Sequence, residues 1–178
     1  MRLKLLLVLM LIVVLLLPAS AKIKTVDMGS YTVRFDTPFG MRHDEHLDAI
    51  ATEIDTVYRY AFWNDERSSK LGVIYLTDNV IPCTPEWIND TLDFWLNQGT
   101  VRVKTWNVST EDIIAYRGEG VTKLRAQKSY GFARAFNVTQ GKNESREDIQ
   151  LVNMFIVIKI TGVAKEEADK LFGSMEVG

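Results

Sequence analysis

The sequence predicts an α+β fold: a single domain built on a mainly antiparallel β-sheet flanked by two or three helices, after an N-terminal signal segment. Three observations predict it. Strand-like alternation recurs along most of the chain, and only two segments carry clear helical patterning with suitable ends. No internal repeat, low-complexity tract or Pro/Gly/Ser-rich linker divides residues 22–178.

The first element is an export signal. Arg2 and Lys4 give a positive start, Leu5–Leu17 is an unbroken apolar run, and Pro18 ends it. Ala19-Ser20-Ala21 then has the small-x-small form that signal peptidase accepts. The run is shorter than the roughly 20 residues that span a bilayer comfortably. The expectation is therefore a signal peptide at 1–21 cleaved after Ala21, with an uncleaved anchor through residues 5–17 as the alternative. The junction has no cysteine, so no lipid-modified amino terminus is expected.

Lys22–Met28 reads as a first strand, Gly29-Ser30 as a turn, and Tyr31–Asp36 as a second strand. In the latter, Tyr31, Val33 and Phe35 alternate with polar residues. Asp44–Asp55 is ambiguous: Leu47, Ile50, Ala51 and Ile54 have helical spacing, so a loop or short helix is expected before a strand at Ile54–Trp63. Leu71–Thr77 is the return strand of a hairpin. Pro85–Gln98 is the clearest helix, with Thr84 as N-cap, Pro85 in the first turn, and a stripe of Ile88, Leu92, Trp95 and Leu96. Gly99 ends it.

Four β-rich segments follow: Val101–Val108, Asp112–Tyr116, Val121–Val138 with a break near Ser129, and Ile149–Thr161. Gly118-Glu119-Gly120 reads as a tight turn, since it lacks the Lys-Ser/Thr of a phosphate loop. Leu151–Ile160 is apolar on both faces except at Asn153 and Lys159, as in a central strand. A last helix spans about Ala164–Phe172.

Two stretches resemble the fold family of the photosystem II extrinsic subunit PsbP. One is Gly29-Ser-Tyr-Thr-Val-Arg-Phe-Asp-Thr-Pro38, similar to the family's opening strand that ends at a proline. The other is the close of the chain, Phe155-Ile-Val-Ile-Lys-Ile-Thr161, a short acidic helix, and Phe172-Gly-Ser-Met-Glu-Val177. The likeness covers most of residues 22–178 in order. The family's tryptophan soon after the opening proline is replaced by Phe39. The resemblance implies a long antiparallel sheet between helices, and a binding or assembly role more often than an enzymatic one. No metal- or calcium-site residue carries over.

Composition narrows the function further. Removing 21 residues from 178 leaves 157, with 19 basic against 23 acidic side chains, a net charge near −4. Nucleic-acid binding calls for a basic surface, and the local cluster Lys123, Arg125, Lys128 and Arg134 is too sparse to supply it, so no nucleic-acid partner is expected. Cys83 is the sole cysteine, which excludes an intramolecular disulfide; its plain reading is a small apolar filler. Four Asn-x-Ser/Thr triplets begin at Asn89, Asn107, Asn137 and Asn143, where eight Asn and 21 Ser/Thr in 157 residues give about one by chance. They are candidate glycosylation sites on exposed turns.

Two constellations are candidate sites. His43-Asp44-Glu45-His46 would let two imidazoles share a helical face and hold a divalent metal; a solvated polar loop is the competing reading. In the strand Thr56–Trp63, Tyr58, Tyr60 and Phe62 point one way, while Arg59, Ala61 and Trp63 point the other. The Arg59/Trp63 face is a candidate ligand platform, because indole stacks on sugars and cations. Trp87, Trp95 and Trp106 are expected in the core around the first helix.

The function expected is that of a secreted or extracytoplasmic, non-catalytic binding or accessory protein. No catalytic residues and no cofactor are assigned, and the partner is an envelope protein or glycan. The membrane would be touched only through the N-terminal segment, if uncleaved. The alternative is a small metal-dependent hydrolase using His43 and His46, favoured if both imidazoles enter one cleft beside carboxylates.

Overall fold

Alternating apolar side chains build β1 (Lys22–Met28) and β2 (Tyr31–Thr37), which pair antiparallel around the Gly29-Ser30 turn. Gly29 adopts a positive φ of 68° and passes close to the Tyr58 ring, where a Cβ would fall 2.4 Å from it. A side chain there would be strained and blocked. The computed structural model describes residues 22–38, 40–53, 55–65, 69–79, 83–140 and 150–178. Residues 1–21, where a signal segment is expected, and also Phe39 and Asn143 lie outside them.

A seven-stranded antiparallel sheet forms the body. Its strands are β3 (His43–Ala51), β4 (Asp55–Trp63), β5 (Leu71–Asn79), β6 (Thr100–Asn107), β7 (Ala115–Thr122), β8 (Lys128–Gln140) and β9 (Gln150–Thr161). They lie in the order β3-β4-β5-β9-β8-β7-β6, so β9 is central, as its two-faced apolarity requires. A second sheet, β1-β2-β10, is closed by the short β10 (Glu176–Val177) on β2. Two helices complete the described residues: α1 (Pro85–Asn97) and α2 (Lys165–Gly173). The expected α+β class is thus met, with two antiparallel sheets where one was expected.

Each face of the large sheet has its own core. One joins Val26, Val33 and Phe35 of the small sheet to Tyr60, Ile74, Leu76, Ile156 and Ile158, with Leu171 and Phe172 of α2. The other packs Ile88, Leu92 and Leu96 of α1 on Tyr75, Ala133, Phe155 and Val157. Those three α1 side chains are fully buried, each contributing about 1.5–3 kcal/mol. Thr84 caps α1 by accepting from the Trp87 N–H at 3.2 Å. At the other end, Lys159 on β9 donates to the carbonyls of Leu96 (3.1 Å), Trp95 (3.4 Å) and Gln98. Burial pushes its amine down to about 8.

The structure corrects several sequence readings. Asp44–Asp55 is neither loop nor helix but contains most of the edge strand β3. A register shift between Leu47 and Ile50 explains the misleading spacing. Leu47 pairs with Arg59 and Ile50 with Val57, so the bulge puts residues three apart on one face. Gly118-Glu119-Gly120 is not a turn but lies inside β7, paired to β6 and β8. A Cβ on Gly118 would lie 2.4 Å from Leu96 Cδ1, and one on Gly131, opposite it, 2.7 Å from the same atom. These glycines let α1 settle onto the sheet. The break expected near Ser129 falls instead at residues 123–127, and the strand expected at Asp112–Tyr116 begins only at Ala115.

Candidate functional site

The described surface opens most informatively on the α2 side of β6–β8. Side chains alternate across β7, so with Gly118 and Gly120 turned toward α1, Arg117 and Glu119 face the other way. Register then sets Trp106 beside Arg117, Lys104 beside Glu119, and Phe132 and Tyr130 on β8 opposite Arg117 and Glu119. A groove of about 450 Å³ runs here, with Trp106 and Val108 on one wall and Lys165, Asp169 and Phe172 of α2 on the other.

Its charges are compensated. Arg117 Nη1 donates to Asp169 Oδ1 at 2.6 Å, and Lys165 Nζ donates to the other oxygen at 2.9 Å. Lys165, and with it Arg117, holds the Asp169 carboxyl below the usual carboxylate range, against its partial burial. The Arg117 guanidinium lies 5.0 and 4.7 Å from the Phe132 and Phe172 ring centroids, and these rings stack at 5.4 Å. Partial burial, then the carboxylates led by Glu119, push the Tyr130 phenol up. Trp106 is not a core residue as expected: its indole is 43% exposed on the groove wall.

The residues singled out from sequence are placed as follows. His43 and His46 lie on one strand with no bulge between them, and pair with Trp63 and Tyr60, which face opposite sides of β4. The imidazoles therefore do not share a face as they would on a helix. His43 stacks on Trp63 (centroids 6.0 Å apart) and lies 3.5 Å from Asp65, while His46 packs edge-on against Tyr60. Asp44 turns inward to accept from Lys24 and Tyr60; these two bonds hold its carboxyl below the ordinary range. No group of three His, Cys, Asp or Glu suited to a metal occurs among the described residues.

Arg59 and Trp63 do share a face, half-buried, on β4. Helix α1 packs mainly on β6–β9, and its Trp95 reaches β5 by stacking on Tyr75, the residue paired with Arg59 (centroids 3.9 Å apart). Both Arg59 Nε (2.8 Å) and Nη2 donate to the Asp48 carbonyl, which ties β4 to β3 beside the bulge. Of the sequons, Asn89 lies in α1 rather than on a turn, and Asn107 ends β6, where its Oδ1 accepts from the Ser109 N–H at 2.7 Å. Asn137 is in β8, its side chain outside the described residues. Cys83 is half-buried, which raises its thiol, and accepts from the Asn79 amide at 3.1 Å.

No protein-family model matches the chain, and no curated protein does. Among solved structures the chain is similar to LpqN, described as involved in cell envelope biogenesis of Mycobacterium tuberculosis. The TM-score is 0.47 at 10% identity, over 89% of this chain and 91% of that one. A likeness of that size transfers neither residue roles nor activity.

Proposed function

We propose that this chain is an exported, non-catalytic binding domain whose β6–α2 groove takes an uncharged saccharide unit of an envelope glycan. The observation that carries the reading is the exposed Trp106 indole above a floor whose charges cancel: Arg117 and Lys165 against Glu119 and Asp169. A hexose offers an apolar C–H face to an aromatic ring and hydroxyls to fixed donors and acceptors, and it brings no charge to be neutralised. Affinity chromatography on immobilised envelope polysaccharide tests this. Retention of the native protein and loss of retention in Trp106→Ala are expected. Elution of both proteins from the polysaccharide matrix together and unretarded, as from an inert one, would refute it.

Export rests on the leader at 1–21, and occupation of the Asn sequons follows from export in a host that glycosylates Asn. The PsbP-like relationship is proposed on the two quoted stretches, which the fold brings together: β10 pairs with β2, setting Glu176 opposite Arg34. A second binding reading keeps the Arg59/Trp63 face, favoured by its position on β4, outside the strands on which α1 mainly packs. The hydrolase reading required His43 and His46 on one face, and β3 separates them.

A further inference from the structure

We infer that one end of the large sheet is built to rest on an anionic lipid surface. A continuous row of paired residues, His43, Trp63, Leu71, Thr161, Ser129 and Gly120, marks this end. Beyond the row the β7–β8 hairpin projects as Lys123-Leu124-Arg125-Ala126, held by the Ala126 N–H on the Thr122 carbonyl (3.1 Å) with Ala126 at positive φ. Leu124 is 98% exposed, more than any other large apolar side chain described. It is flanked by the exposed Lys123, Arg125 and Lys128. In water a protruding leucine gains nothing; at a bilayer it enters the acyl boundary while its basic neighbours meet the headgroups.

Two further features share this end. The cleft between β1–β2 and β3–β4, about 310 Å³, opens here with Lys22, Lys24 and Arg42 around Ile23, Met41, Phe35 and Phe62. Ile23 is 53% exposed. Of the carboxylates near this end, Asp44 is paired with Lys24 and Asp65 with Arg42 (3.4 Å), and Asp36, Glu119, Glu166 and Glu167 lie toward β2 and α2, so the positive charge is concentrated at the hairpin tip, in Lys123, Arg125 and Lys128, with Lys22 and Lys70 beside it. The opposite end carries Asp27, Glu53, Asp55, Asp78, Glu111 and Asp112, so the molecule is polarised along its strands.

The chain also enters at the basic end. Lys22 follows the last residue of the apolar run, Leu17, by five residues, a reach of at most about 17 Å. A retained leader would hold this end against the bilayer, and a cleaved one would add the Lys22 α-ammonium to it. Both arrangements turn the acidic end, and the length of the groove, away from the lipid.

Vesicle flotation of the protein as its host exports it tests the inference, using phosphatidylcholine alone and with one quarter phosphatidylglycerol. The anionic vesicles should bind it at least tenfold more strongly, and salt should weaken that increment. The paired substitution Lys123→Gln with Arg125→Gln should cost about 25-fold, roughly fivefold per cation. Leu124→Ser should cost about tenfold or more. Glu111→Gln with Asp112→Asn at the far end, and Trp106→Ala in the groove, should change nothing, which separates this surface from saccharide binding. Equal binding to both vesicles, or unchanged binding by both tip variants, would overturn it. So would equally tight capture by heparin without lipid, which would mark an acidic polymer as the partner.

Discussion

Replacing Gly118 by alanine tests how the two layers meet. The added Cβ would lie 2.4 Å from Leu96 Cδ1 and 3.1 Å from the Lys104 carbonyl oxygen, against an ordinary carbon contact of about 3.5–4.0 Å. Overpacking of this kind costs about 1–3 kcal/mol, and removing a strand glycine returns about 0.5–1 kcal/mol of chain entropy. Gly118→Ala should therefore lose about 1–2 kcal/mol in urea unfolding followed by tryptophan fluorescence. Leu96→Ala alone should lose about 2–5 kcal/mol through its cavity. In the double variant the new methyl enters the space left by Leu96, so the loss should fall short of the sum by about 1 kcal/mol. Gly173→Ala, with no heavy atom within 4 Å of its Cβ, is the control and should be neutral or stabilising. A Gly118→Ala protein as stable as wild type, and additive with Leu96→Ala, would show that α1 does not rest on this glycine pair.

Other outcomes follow from the same geometry. Tyr31→Phe should lose about 1–2 kcal/mol, because its hydroxyl donates at 2.7 Å to Asp78 and ties the small sheet to the large one; urea midpoints check this. The carboxyls of Asp44 and Asp169 are held low in the fold, so their stabilisation is present above the ordinary carboxylate range and is lost as pH falls through the lowered values. Melting temperature should drop on that acid limb, and Asp169→Asn should flatten it while costing at most about 1 kcal/mol at neutral pH. Tyr60→Phe should release part of the hold on Asp44 and move its titration, read by carboxyl NMR, upward.

Most of the fold could be read from local pattern. Tyr31–Thr37 alternates because it has a single buried face, Asp55–Trp63 and Leu71–Asn79 read as strands from their β-branched and aromatic content, and α1 announces itself through Thr84, Pro85 and its apolar stripe. Readings failed where tertiary contacts decide. β3 is almost wholly exposed, so its side chains carry no alternation, and pairing with β4 alone makes it a strand. The glycines at 118 and 120 look like a turn in isolation, and only tertiary contacts explain their place in β7: Leu96 of α1 against Gly118, and Thr100 and Val103 of β6 against Gly120. The groove was missed for the same reason. Once residues 115–122 are read as a strand, Arg117 and Glu119 alternate with the glycines and point to a polar face opposite the helix. Trp106 gives no such sign, since an exposed tryptophan and a core one look alike in sequence.

The sharpest test is an indole N–H NMR titration with soluble oligosaccharides released from the host's envelope polysaccharide. Four tryptophans give four resonances, assigned by single Trp→Phe variants. The account predicts that the Trp106 signal moves saturably with added sugar while those of Trp63, Trp87 and Trp95 hold still. Movement of Trp63 with a silent Trp106 would transfer binding to the β4 face, and four unmoved signals would contradict saccharide recognition by this domain.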